Sequence, residues 1–198
     1  MATSIRLTGL SGGKMKIRIA ATALSLLLFA SLSFAQDKPA SPGAQDKAAR
    51  PSPPAKASCS LGDGATITVD YSSPRAKGRK IFGGLVPYGE VWRLGANEAT
   101  TFLTNSDVNV GGTKVPAGSY TLFAVPNADK WTLIISKKTG EWGTKYAGPE
   151  FDLARVDLKV STLPAPVENF TITFDKTGSG CTMRVEWEKT RASVDITK

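Results

Sequence analysis

The residue types that can do chemistry gather in one stretch, residues 73–101, SPRAKGRKIFGGLVPYGEVWRLGANEATT. Arg75, Lys77, Arg79 and Lys80 are closely spaced cations among glycines, a combination that suits a phosphate or a carboxylate. The phosphate-cradling pattern G-x-x-x-x-G-K-[ST] is absent, so the same run also reads as a solvated loop. Glu90 and Glu98 are a carboxylate pair, the raw material of glycoside hydrolysis if their side chains share a cleft. Trp92, Arg93, Asn97 and Glu98 combine a flat aromatic face with planar donors and acceptors. With Arg79 they form the candidate binding site, suited to a sugar, a peptide end or another small polar ligand. The same residues also have a purely structural reading. Gly95 lets the chain turn, Arg93 pairs with Glu98, Asn97 sits in the turn, and Trp92 plugs the core beneath.

The sequence contains no histidine. That closes Ser-His-Asp and Cys-His catalysis, histidine-ligated metal sites and histidine pH switching. Asp63 and Asp152 are isolated and build no calcium loop. No catalytic residue, metal or cofactor is assigned. Any enzyme here must rest on carboxylates, Lys, Tyr or Arg, or on a borrowed cofactor, and its candidate residues are Glu98 or Glu90 with Arg93, for example on a glycan.

The elements that must position these residues read as strands. Ile67, Val69 and Tyr71 alternate with Thr66, Thr68 and Asp70, the pattern of a half-buried strand. Extended character resumes over 101–104, and 108–110 and 113–115 flank Gly111-Gly112, a hairpin turn. Residues 119–125 and 130–136 form a second hairpin across 126–129. Residues 137–149 read as an irregular loop whose Trp142 and Tyr146 either wall the same pocket or pack as satellite core, the commoner role of loop aromatics. Alternation returns over 154–160, 170–174 and 181–187, with a final strand over 192–196. No sustained 3.6-residue apolar stripe appears. The fold class expected is all-β, an antiparallel β-sandwich or a barrel-like variant, with one long irregular loop.

Ahead of these strands, Lys14, Lys16 and Arg18 precede an apolar run from Ile19 to Ala30 and the small-x-small pattern Ser33-Phe34-Ala35. This is a secretory signal over 1–35, starting at Met1 or at Met15, and its removal leaves no membrane segment. Residues 36–57 are rich in Pro, Ala, Ser and Lys and read as a disordered tether, with a single β domain over 58–198. The formal charge of +8 includes four cations of the leader, so the mature chain carries about +4, which argues against nucleic acid as a partner. Cys59 and Cys181 lie near the two ends of the domain without metal-site spacing. In an exported protein they are expected to form a disulfide, the other reading being two buried thiols.

The words KGRKIFGGLVPYGEVWRLGANEATT, VPAGSYTLFAVP, WTLII and CTMRVEWEKT resemble the DUF2911 family of bacterial exported proteins, over 58–198. The resemblance implies an all-β domain that is secreted or held in the envelope. It implies no activity and places Arg79, Trp92, Arg93, Asn97 and Glu98 in the family's most distinctive segment. The reading is an exported binding or interaction module, periplasmic or secreted, for an unknown small polar ligand or envelope component. The alternatives are a carboxylate enzyme and a purely structural envelope protein.

Overall fold

The structure, a computed structural model, describes residues 47–198. The signal segment 1–35 and residues 36–46 of the expected tether lie outside the described residues. The first strand, β1 (Pro54–Gly62), begins ahead of the Ser58 boundary expected from composition. Ala55 and Ala57 alternate inward with Cys59, and their backbone pairs with the next strand, so partner geometry extends the strand where composition alone does not.

Eight further strands follow. They are β2 (Ala65–Ser72), β3 (Thr100–Thr104), β4 (Val108–Val110), β5 (Thr113–Val115), β6 (Gly118–Val125), β7 (Lys130–Ser136), β8 (Asp152–Lys176) and β9 (Gly180–Thr197). All pair antiparallel in one sheet, in the order β1-β2-β3-β6-β7-β8-β9-β4-β5. The all-β expectation holds, and its two layers are halves of a single open sheet folded over on itself. Tyr71 of β2 meets Phe170 of β8 edge to face at 5.6 Å, although these strands are not neighbours in the sheet. The Tyr71 hydroxyl also accepts from the Ile172 N–H at 3.1 Å. The Cys59–Cys181 disulfide clasps β1 to β9, with 6.7 Å between Cα atoms and 122 residues between the cysteines.

The Gly111-Gly112 hairpin forms as expected, with φ of 55° and 86°, values that side chains disfavour. The last third departs from expectation in continuity. Residues 154–160 and 170–174 are one strand, and so are 181–187 and 192–196. Two irregularities in the β8–β9 pairing absorb the change of face. One spans 162–167, where Pro164 and Pro166 have no N–H to donate. The other follows, and opposite it Glu188 adopts φ 53°. Inward residues on β9 accordingly switch from odd (Met183, Val185, Trp187) to even (Ala192, Val194, Ile196).

Candidate functional site

The connection from β2 to β3 contains no strand of its own, yet it is firmly held. Ala76 N–H donates to Glu168 O and Phe170 N–H to Pro74 O, both at 2.8 Å, stitching its start to the middle of β8. Trp92 and Ala124 exchange both backbone bonds at 2.8 Å, stitching its later part to β6. Between these seams Ile81, Phe82, Val86, Trp92 and Leu94 are buried and close one end of the core. The Trp92 indole N–H is satisfied by Gly95 O at 3.1 Å, and the Thr100 hydroxyl donates to Leu94 O at 2.6 Å. Leu94 and Asn97 both take left-handed φ, 53° and 54°, around Gly95 at 155°.

On the outer side of this plug lies a cleft of ≈ 610 Å³. Trp92 and Trp187 form its base, their rings stacked 19° from parallel with centroids 6.1 Å apart. Leu85, Val86 and Pro87 make an apolar wall. Arg79, Arg93 and Glu90 bring charge, and Ser52 and Thr144 bring hydroxyls. Arg79 is positioned by its own turn, donating from Nε to Ala76 O at 3.0 Å and from Nη2 to Arg75 O at 2.6 Å.

Arg93 is the unusual member. It is half-buried, no carboxylate lies within 4.0 Å of it among the described residues, and its Nε–H is sealed from water without an acceptor. Burial holds its guanidinium below the usual arginine range. A half-buried cation with no carboxylate in contact is costly, since a close partner does not offset its desolvation.

The expected Arg93–Glu98 pair does not form. Glu98 instead accepts from Arg50 Nη1 at 3.1 Å on each oxygen, and Lys47 Nζ approaches at 3.1 Å. Burial alone would raise the Glu98 carboxyl; its backbone bond and the two cations outweigh that and hold it below the usual carboxylate range. The left-handed turn through Leu94, Gly95 and Asn97 separates the two side chains, and the segment before β1 supplies the partners. Glu98 lines a smaller pocket of ≈ 220 Å³ with Lys47, Arg50 and Asp70. Glu90 and Glu98 thus face different cavities, and paired-carboxylate chemistry has no shared cleft here.

Asn97 is also drawn out of the cleft, donating from Nδ2 to Ser52 O at 3.0 Å and to the Ser72 hydroxyl at 3.3 Å. Of the five expected site residues the structure brings together Arg79, Trp92 and Arg93; Asn97 and Glu98 are part of the scaffold. The 137–149 loop contributes Thr144 rather than its aromatics. Tyr146 donates to Asp152 at 2.7 Å and packs on Phe123 at 5.2 Å, while Trp142 stands exposed beneath the Arg50 guanidinium.

Sequence reasoning missed Ser52 and Thr144, which no local pattern marks, and Arg50, which it placed in the tether. The Leu85-Val86-Pro87 wall left a signal, an apolar run inside an otherwise polar, glycine-rich loop.

The profile of a family described as "Protein of unknown function (DUF2911)" matches residues 52–196. No curated protein and no solved structure matches the chain.

Proposed function

As the chain belongs to the DUF2911 family, whose description assigns no activity, we propose its function from its own geometry: an exported binding module that holds an anionic polar ligand in the cleft floored by Trp92. The observation that carries this is Arg93. A folded chain that keeps a half-buried cation with no carboxylate within 4.0 Å among the described residues gains when a ligand supplies one. Arg79 adds a second cation whose orientation is already fixed, which lowers the ordering cost of binding. The tryptophan base and the apolar wall exclude water from the ion pair so formed. Export is supported by the leader pattern of 1–35 and by the Cys59–Cys181 bridge, which persists in an oxidising compartment. A purely structural role would leave the Arg93 charge without a purpose.

The test is titration calorimetry of the mature protein with acetate, benzoate, sulfate and phosphate against uncharged amide and alcohol counterparts. Anions bind and the neutral counterparts do not. Arg93→Met abolishes the binding, whereas Glu98→Gln, outside the cleft, leaves it intact. Equal binding of the neutral compounds, or full binding by Arg93→Met, would overturn the proposal.

A further inference from the structure

A second cavity of ≈ 360 Å³ adjoins the cleft and shares Ser52, Pro74 and Arg79 with it. Its remaining lining is Pro51, Arg75 and Lys77, so it holds three cations and no acid. None of the three has a carboxylate within 4.0 Å among the described residues. Two nearby acids bind backbone amides rather than these cations: Glu168 accepts from Lys77 N–H at 2.9 Å, and Glu188 from Ile81 N–H at 3.2 Å. Arg75 is fixed by Nη1 bonds to Ser73 O at 2.7 Å and to the Ser73 hydroxyl at 2.8 Å. Lys77 stands exposed on a left-handed turn with φ of 51°, followed by Gly78 at 68°. The trough is therefore a positive surface, with Arg75 and Arg79 held in place, that is continuous with the Arg93 cleft.

Resting on the binding role of that cleft, we propose that the trough is a second anion subsite and that the ligand is an acidic oligosaccharide, with one carboxylate near Arg93 and another over Arg75 and Lys77. The chemistry between the two cationic ends favours sugar rings. Trp92 and Trp187 are 8% and 1% exposed and give the cleft an apolar floor, and Ser52 and Thr144 offer hydroxyls along the walls. Tyr88, 45% exposed, follows the wall residue Pro87, with its ring beside Gly83. One mode by which an extended acidic peptide docks is to pair its backbone with a sheet edge. Here the edges are β1 and β5, and neither contributes a residue to either cavity.

The experiment is calorimetric titration of the mature chain with galacturonate, its dimer and its trimer, with the neutral galactose trimer and tri-glutamate as controls. The trimeric uronate binds at least tenfold more tightly than the monomer. Arg75→Gln with Lys77→Gln removes that gain and keeps the monomer's affinity, and Arg93→Met removes both. Lys77→Gln alone serves if loss of the Arg75–Ser73 bonds prevents folding, because its side chain is exposed. A neutral trimer or tri-glutamate binding as tightly as the uronate trimer overturns the proposal, as does a gain that survives the trough variants. In that last case Arg93-dependent binding of the monomer would still support the cleft. Failure of every anion to bind the unaltered protein would defeat both readings.

Discussion

Replacing Arg93 by methionine separates a ligand-holding arginine from a structural one through the sign of the stability change. The substitution keeps an unbranched stem against the cleft wall and deletes the charge. In the structure that charge has no carboxylate within 4.0 Å among the described residues, and its Nε–H has no acceptor. A buried polar group left unsatisfied costs ~1–3 kcal/mol. The side chain is only partly buried, so the lower end of that range applies. Arg93→Met should therefore stabilise the fold by about 1 kcal/mol, a rise in Tm of roughly 3 °C for a domain of this size. Urea melts followed by circular dichroism read the difference as a shift of midpoint by about 0.5 M at unchanged slope. Gain of stability with loss of anion binding is the signature of a site whose strain is kept for function. A loss of more than about 1 kcal/mol would mean that Arg93 has internal partners in solution, and the argument from an unmet charge would fail.

Reducing the Cys59–Cys181 bridge reopens a loop of 122 residues and should cost ~5 kcal/mol in the chain-entropy account, seen as a lower urea midpoint in reductant; a loss under ~1 kcal/mol would contradict a bridge of that span. The Glu98 carboxyl is held below its unfolded value, so its stabilisation is present above the ordinary carboxylate pKa and is lost as pH falls through the depressed folded value. Glu98→Gln should accordingly cost about 0.5–1 kcal/mol at neutral pH and nothing in strong acid, and a difference that persists undiminished in acid would rule out the ion pair as its cause. Gly95→Ala places a Cβ 2.9 Å from Ser72 O and 3.3 Å from the Thr100 hydroxyl at a φ of 155°, so a loss of ~1–3 kcal/mol is expected, and a neutral melt would refute the turn geometry.

The strands were legible because their cause is local. Inward and outward residues alternate along Ile67–Tyr71 and Cys181–Trp187, and a chain with that period can bury one face only as a strand. The Gly111-Gly112 turn was legible for the same reason, since glycine tolerates its φ at little cost. The absence of histidine also settled much of the chemistry before any coordinates, because it removes whole mechanisms at once. The cleft was only half legible. Arg79, Trp92 and Arg93 lie close together in the chain, but their convergence depends on Trp92 being seated on Ala124 of β6 and on Trp187 of β9. The fate of Glu98 was not legible at all. Arg93, five residues from Glu98, and Arg50, 48 residues away, look alike to a reading of charge; which one meets it is decided by where β1 enters the sheet and how the Gly95 turn points the side chain. Alternation and turn chemistry act between neighbours and can be read from the chain. Ion pairing and cavity shape act across the fold, and only the tertiary structure decided them.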